Sequence, residues 1–203
     1  MISISDQIIR RIRIKGRGFT FTAKDFLDLG KRGAVDVALS FLADSHQIRR
    51  VDRGLYDYPR YSELLGEVLA PDFDQVAHAI ARKTGIRILP AGAVAANLLG
   101  LSDQVPAQII YLTDGRTRII EVGGQTITFQ KVSPKEILPD GKASLVIQAL
   151  RFLGKDSIDD KVILKVRQIL SPTERKRLLK AARYTATWMP EVVKRIAGEP
   201  QDG

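Results

Sequence analysis

The chain has 203 residues, of which 44% are hydrophobic and 27% charged, an ordinary balance for one large or two small folded domains. Lys and Arg (32) outnumber Asp and Glu (23), which favours polyanionic partners such as nucleic acid. The absence of Cys excludes disulfides, thiolate metal sites and cysteine nucleophiles, and no signal peptide or long apolar run is visible, so we expect a cytoplasmic protein with no membrane partner.

The positive charge is concentrated at the two ends of the chain. Residues 1–60 contain twelve Lys and Arg against seven Asp and Glu, and residues 141–203 contain thirteen against seven. Residues 61–140 are mildly acidic, with seven against nine. The sequence therefore predicts two separate basic surfaces.

The first predicted helix begins at a Ser3 or Ser5 cap and continues to about Ile14, because isoleucines recur at helical spacing. A second helix is expected to begin at residue 23 and to end near Gly30. Thr22 and Asp25 form its capping-box pattern, and a hydrophobic staple is expected between Phe21 and Phe26.

A third helix and a β-hairpin complete this segment. Residues 48–51 and 55–58 are β-prone and flank a short loop that contains glycine, which predicts the hairpin. Three helices and a hairpin describe a winged helix-turn-helix, which we place at residues 1–60, with the second domain at 61–203. The buried stripe of the third helix is predicted to be Val35, Ala38, Leu39 and Leu42.

In a helix-turn-helix the third helix enters the major groove, so its outer face is expected to be polar, while a wing follows phosphates or enters the minor groove. Unpaired N–H groups at the start of the second helix favour a phosphate. The predicted DNA-binding residues are Thr22, Lys24, Lys31, Arg32, Asp36, Ser40, Arg49, Arg50 and Arg53.

The second domain is predicted to be α+β, with a small antiparallel sheet and C-terminal helices. We expect a helix ending at Gly85, a strand at 86–89, an alanine-rich helix at 91–99, and a three-stranded antiparallel meander over 108–112, 116–122 and 125–130. Ser-Pro-x-Glu patterns at 133–136 and 171–174 predict helix starts. Further helices are predicted over 145–153 and 162–170, and the last helices run from 172 to about 196, with a bend near Pro190.

The last predicted helix carries the second basic surface, which would meet nucleic acid or an acidic protein, or would be a solvated face. Trp188 and Met189 are expected in a core or an interface, and His46 and His78 are not expected to bind metal. The basic residues of this surface are Arg175, Lys176, Arg177, Lys180 and Arg183.

Catalytic motifs for nucleotide binding, serine hydrolases and zinc proteases are absent from the sequence, and we expect neither an enzyme nor a cofactor. The one formal match is Pro139-Asp140 followed by Asp159-Asp160-Lys161, the loose spacing of a magnesium-dependent nuclease. The context disfavours this alternative, because helices are predicted where such chemistry requires adjoining strands.

Several stretches of the chain resemble the AbiEi-type antitoxin family. They are KDFLDLG at 24–30, AVDVAL at 34–39, IRRV at 48–51 and RGLYDYP at 53–59. GAVAANLLGL at 92–101, followed by Pro106 and a strand, is similar to the second domain of that family.

The resemblance implies a winged helix that represses its own operon and a second domain that counteracts a nucleotidyltransferase-like toxin encoded beside it. Lys31, Arg32 and the wing arginines would then read inverted repeats in double-stranded operator DNA, two copies suiting a pseudo-palindrome. It implies no catalysis and assigns no residue to the antitoxic effect. The main alternative is a ligand-responsive winged-helix regulator whose second domain binds a small molecule.

Overall fold

The computed structural model describes residues 2–134, 136–137, 141–183, 185 and 187–198, and the fold is α+β. The chain divides into two compact units. The first unit comprises Met1–Ile86 and Ile120–Thr126, and the second comprises Arg87–Ile119 and Ile127–Gly203.

The first unit combines three α-helices with two small antiparallel sheets, ordered β1-β3-β2 and β4-β5. The helices are α1 (Ile4–Lys15), α2 (Arg32–Asp44) and α3 (Phe73–Thr84), and a 3₁₀ turn covers Ala23–Phe26. The strands are β1 (Thr20–Phe21), β2 (Arg49–Asp52), β3 (Leu55–Asp57), β4 (Tyr61–Ser62) and β5 (Glu67–Val68).

The predicted first and third helices are confirmed as α1 and α2. Ser3 caps α1 in a capping box with Asp6, and the chain leaves the helix at Gly16. Ile8, Ile9 and Ile12 of α1 and the predicted stripe of α2 are buried in one core, which also contains Phe21, Phe26 and Tyr56. The rings of Phe21 and Phe26 meet edge to face with centroids 5.4 Å apart, which confirms the staple.

The predicted second helix is reduced to a single 3₁₀ turn. The Leu29 N–H bonds to the Phe26 carbonyl, three residues back, instead of the Asp25 carbonyl that an α-helix would use. Arg11 occupies that carbonyl (Nη1–O 3.3 Å) while its guanidinium also pairs with Asp28 at 2.7 Å. A bond from α1 therefore replaces the one that would extend the helix.

The first unit extends past the division predicted at residue 60. Arg82 on α3 donates to the Asp25 carboxylate (Nε–Oδ1 3.0 Å) and to the Thr20 carbonyl (2.8 Å). Arg49 on β2 donates to the Leu69 carbonyl at 2.9 Å. Because these bonds join the early elements to the segment after residue 60, α3 belongs to this unit.

The second unit contains a group of helices and most of a four-stranded sheet, of which the tip of one hairpin, Ile120–Thr126, is assigned to the first unit. The strands are β6 (Ile88–Pro90), β7 (Ile109–Thr113), β8 (Arg118–Val122) and β9 (Gln125–Lys131). The helices are α4 (Gly92–Leu98), α5 (Gly141–Leu153), α6 (Asp160–Ile169), α7 (Pro172–Ala182) and α8 (Met189–Ala197), with a 3₁₀ turn at Lys155–Ser157.

The expectation of an antiparallel meander is wrong, because the strand order is β6-β7-β9-β8 and β7 pairs with β9 in parallel, so the sheet is mixed. The Gly123-Gly124 turn does join neighbouring strands, and both glycines have positive φ, as a tight hairpin requires. The Asp114-Gly115 turn does not. Its carboxylate accepts from the Arg87 backbone N–H (2.8 Å) and from the Arg87 guanidinium (2.8 Å), which ties the turn to the start of β6 instead.

Pro90 is the last residue of β6, where it pairs with Tyr111. This pairing is tolerated because β6 is an edge strand and a proline that lacks its N–H can face away from the partner strand.

One prediction about the C-terminal helices needs correction. Residues 133–134 and 136–137 form a bend and turn and not a helix, and the next helix begins at Gly141; Lys135 lies outside the described residues. The helices predicted over 172–196 are present as α7 and α8. Pro190 lies in the first turn of α8, where its missing N–H has no intrahelical acceptor.

The helices of the second unit share one apolar core. Ala95 of α4, Leu150 of α5, Leu178 of α7 and Ile196 of α8 are all fully buried in it. Met189 is buried in the same core and Trp188 packs against it. Of the two locations predicted for these residues, a core or an interface, the structure therefore shows the core. No helix in the described part of the chain has the length and apolar character needed to cross a membrane.

Candidate nucleic-acid interface

The amino end of α2 carries two of the predicted DNA-binding cations. Lys31 is the N-cap residue and is exposed, and its ammonium has no hydrogen bond or ion pair among the described residues. Arg32 pairs with Asp36 one turn later (Nε–Oδ2 2.9 Å), and both side chains are at least half exposed. Lys31 is therefore a free cation, whereas the charge of Arg32 is offset by its neighbour.

The outer face of α2 is not uniformly polar, which contradicts the expectation. Val37 is 71% exposed and Phe41 59% exposed, beside the half-buried Ser40. The inner face carries the buried stripe that packs on the core of the first unit. The sequence did not predict this feature, because valine and phenylalanine are usually core residues. The structure shows that the opposite face of α2 forms the core instead.

The three arginines of the hairpin have different environments. Arg49 pairs with Asp57, which is only 1% exposed (Nε–Oδ1 3.0 Å), and also donates to a main-chain carbonyl. Arg50 is exposed but stacks on the Tyr56 ring at 5.4 Å and donates to its hydroxyl at 3.2 Å. Arg53 is exposed in the turn between β2 and β3. Arg49 therefore makes internal bonds that hold the hairpin, whereas Arg50 and Arg53 lie on the hairpin surface.

The phosphate site predicted at the start of the second helix is absent from the described structure. Thr22 is buried and caps the 3₁₀ turn, and the Asp25 carboxylate accepts from the Thr22 backbone N–H at 2.8 Å. The protein's own carboxylate therefore occupies the position where a phosphate was expected.

A group of cations around the carboxyl end of α3 was missed by sequence reasoning. The Lys24 ammonium lies 3.4 Å from the carbonyls of Arg82 and Lys83, and the Lys83 ammonium lies 3.4 Å from the Arg53 carbonyl at the hairpin turn. Cations are favoured there by the helix dipole. We call Lys24, Arg53, Arg82 and Lys83 the α3-end cluster.

The one sequence signal for this cluster was the basic last turn of α3 before Gly85. The bonds that form it link residues 30 to 59 positions apart, a separation that local patterns do not encode. Arg82 is the most constrained member, since it pairs with Asp25 and lies 5.6 Å from the Phe19 ring. No described contact connects Lys31 or Arg32 to this cluster.

Comparison with known proteins identifies a family for the chain. Residues 7–178 match the model of a family described as "Family of unknown function (DUF6088)". The chain belongs to the DUF6088 family. A search of curated proteins found no match. The crystal structure of the RV2827C protein from Mycobacterium tuberculosis is similar to this chain at 16% identity and a TM-score of 0.47, covering 97% of this chain and 78% of that one.

The predicted C-terminal basic surface of this DUF6088 chain is largely on the surface of α7. Lys176, Arg177, Lys180 and Arg183 are exposed. Arg175 is half-buried and donates to the carbonyls of Leu170 and Arg167, both at 3.1 Å, so it closes the end of α6. Four of the five predicted residues thus present charge to solvent.

The carboxylates of the nuclease alternative have other partners where they are described. Asp159 caps α6 by accepting from the Val162 N–H at 2.9 Å, and Asp160 pairs with Arg195. Pro139 and Asp140 lie outside the described residues. Within the described ranges, no group of three or more His, Cys, Asp and Glu side chains is placed to hold a metal ion.

His78 is exposed on α3 and is paired along the helix. Its Nδ1 lies 2.8 Å from the Asp74 carbonyl and 3.4 Å from the Asp74 carboxylate. The side-chain hydrogen bond to Asp74 is the largest cause that raises the pKa of His78 above its ordinary value, and partial burial opposes it.

Proposed function

We propose that the first unit is a winged helix-turn-helix that binds double-stranded DNA, with α2 in the major groove and the β2–β3 hairpin as the wing. We further propose that the chain is an antitoxin that represses its own toxin-antitoxin operon and works in the cytoplasm. Its second unit would counteract a nucleotidyltransferase-like toxin. The sequence resemblance to AbiEi-type antitoxins supports the second role.

One observation carries the DNA-binding proposal. A 13-residue helix with an exposed outer face and an adjoining hairpin with a short turn pack on the same apolar core. The helix begins with a free lysine, and the hairpin surface carries two exposed arginines. This is the geometry in which a helix enters a groove while a ribbon contacts the neighbouring backbone.

The contacts of each basic side chain indicate whether it is available to bind DNA. Lys31 and Arg32 would lie at the groove end of α2, with Asp36 and Ser40 farther along, and Arg50 and Arg53 would contact phosphates or the minor groove. Lys24 and Lys83 extend the cationic surface next to the hairpin turn. Arg49 and Thr22 are excluded from this set, because both are used internally.

The proposal is tested with the full-length protein and the DNA that precedes its own reading frame. We expect sequence-specific binding whose affinity falls with salt, with a slope of about −0.9 per phosphate contacted. Lys31→Ala combined with Arg53→Ala should reduce the steepness of that slope by about 2 and weaken binding. Fluorescence anisotropy at four salt concentrations measures both quantities.

Arg151→Ala combined with Lys161→Ala is the matched control, because it removes two exposed cations, from α5 and α6, in the other unit. It should leave the affinity and the salt slope nearly unchanged. If the control and the tested variant lost DNA affinity equally, only the net charge of the protein would matter for binding. If the protein bound a scrambled duplex as tightly as the upstream DNA, the repressor function would be refuted.

A further inference from the structure

Two exposed apolar side chains lie at the centre of the proposed reading helix. Val37 and Phe41 are four residues apart on α2, so they lie next to each other on one face, one turn apart. They are 71% and 59% exposed, whereas the helix buries a full stripe of its own on the opposite face. The two side chains are therefore not needed for the core of the first unit.

The surroundings of Val37 and Phe41 favour an anionic partner that offers small apolar groups. Lys31 stands free at the amino end of the same helix, and Arg32 offsets the charge of Asp36 at 2.9 Å. A Cβ built at Gly33 meets nothing within 4 Å, so the first turn leaves open space for a close approach. Cations at one end and bare methyl and phenyl groups beyond them match the major groove of B-DNA.

The major groove offers one apolar group, the C5-methyl of thymine, and valine or phenylalanine can contact it. A protein partner fits less well, because a standard interface buries about 1,200–2,000 Å² in total and two side chains supply only a small part of that area. The cations beside them would also be left facing protein.

We propose that Val37 and Phe41 read thymine methyl groups in the operator, so that this protein selects sites with thymines facing α2. The inference rests on the proposed DNA-binding function and adds the base that the helix recognises. Lys31 and the hairpin arginines position the chain on phosphates, and the two apolar side chains discriminate among bases.

The test begins with selection of bound duplexes from a random-sequence pool by the full-length protein. The selected duplex is then synthesised with thymine, or with uracil in its place, which removes the C5-methyl groups and keeps the base pairing. We expect the affinity of the unsubstituted protein to fall on the uracil duplex by about fourfold for each methyl contacted.

Phe41→Ala should bind the thymine duplex more weakly and lose much of the discrimination between the two duplexes, and Val37→Ala combined with Phe41→Ala should lose all of it. Leu164→Ala is the matched control, since Leu164 is 56% exposed on α6 in the other unit, and it should keep the full discrimination. The melting temperature of each variant is measured alongside to show that it is folded.

The outcomes separate the two proposals. Enrichment of a DNA motif with equal affinity for both duplexes would overturn the thymine reading and leave DNA binding standing. A uracil effect that persists in the double variant would assign the discrimination to other residues and also overturn it. If no motif is enriched, the proposed function itself fails, and the inference fails with it. A dimer lost in the double variant, with no uracil effect, would assign the patch to self-association.

Discussion

At the scale of single residues, His46 shows how a local conformation shapes the proposed interface. It has a φ of 57°, and it is the one non-glycine residue with positive φ within the described ranges. Its N–H bonds to the Ala43 carbonyl, and the Gln47 N–H bonds to the Leu42 carbonyl, both at 3.0 Å. These two bonds form the Schellman motif that ends α2 and turns the chain towards the hairpin.

Replacing His46 by glycine should stabilise the protein. The left-handed conformation costs an ordinary residue about 1–2 kcal/mol, and the greater freedom of glycine in the unfolded chain offsets about 0.5–1 kcal/mol of the gain. We expect His46→Gly to raise the free energy of unfolding by about 0.5–1 kcal/mol, measured by urea denaturation. His46→Ala is the control and should give no gain, and a stabilisation equal to that of glycine would contradict the assignment.

For the hairpin arginines, the sequence predicted the element that carries them but not the different environment of each side chain. The pattern at residues 49–53 placed Arg49, Arg50 and Arg53 correctly on a β-hairpin. It could not separate them, because the carboxylate that binds Arg49 was hidden in the opposite strand as Asp57. Burial of Asp57 at 1% exposure requires a partner, and that requirement becomes visible only once the two strands are paired.

At the scale of elements, capping boxes were the most informative local signal. The capping boxes predicted at Thr22 with Asp25 and at Ser171 with Glu174 form their reciprocal bonds, and the Ser3 cap forms one with Asp6 as well. At Ser133 the same pattern makes one such bond, from the Ser133 N–H to Glu136 (3.1 Å), but residues 136–137 are in a turn. A capping bond lowers the cost of starting a helix, yet packing decides whether the helix continues.

The capping box of α7 predicts a dependence of stability on pH. The backbone N–H of Ser171, then its hydroxyl, then Lys142 lower the pKa of Glu174 from 4.5 to about 2. Because the folded pKa lies below the unfolded one, the stabilisation is full above about pH 4.5 and is lost as the pH falls through 2. Glu174→Gln should therefore flatten the fall in stability with acid, measured by urea denaturation from pH 6 to 2.

Lys142→Ala tests the order of these causes. Since the hydrogen bonds from Ser171 are larger than the contribution of Lys142, this variant should keep most of the acid-dependent loss. An acid profile for Lys142→Ala as flat as that of Glu174→Gln would show that the ion pair, and not the cap, holds the carboxylate ionised.

At the scale of the whole molecule, each of the two compact units carries one basic surface. The two basic surfaces predicted from the chain ends lie in different units, one on α2 and the hairpin and the other on α7. The division predicted at residue 60 does not coincide with the compact unit, because Arg82 and Leu69 supply partners to the early elements.

This organisation predicts the behaviour of truncated chains. A fragment of residues 1–60 would lack the Arg82 guanidinium that binds Asp25 and the Leu69 carbonyl that binds Arg49. We expect it to melt at a lower temperature than a fragment of residues 1–86, or without a cooperative transition, when followed by circular dichroism. Equal melting temperatures would show that α3 adds nothing to the stability of the early elements.

The sequence by itself determined most helices, their caps and the hairpin, because periodicity, capping residues and turn glycines act within one or two turns of chain. Only the tertiary structure decided that β9 lies beside β7, that the second helix is one 3₁₀ turn, and that Arg53 is exposed while Arg49 is paired. The first two depend on bonds between strands or helices that are separated in the sequence, and Arg49 is held by the opposite strand of its hairpin and by the Leu69 carbonyl. Such bonds form only when folding closes the intervening loops and removes water from the partners, which no local pattern records.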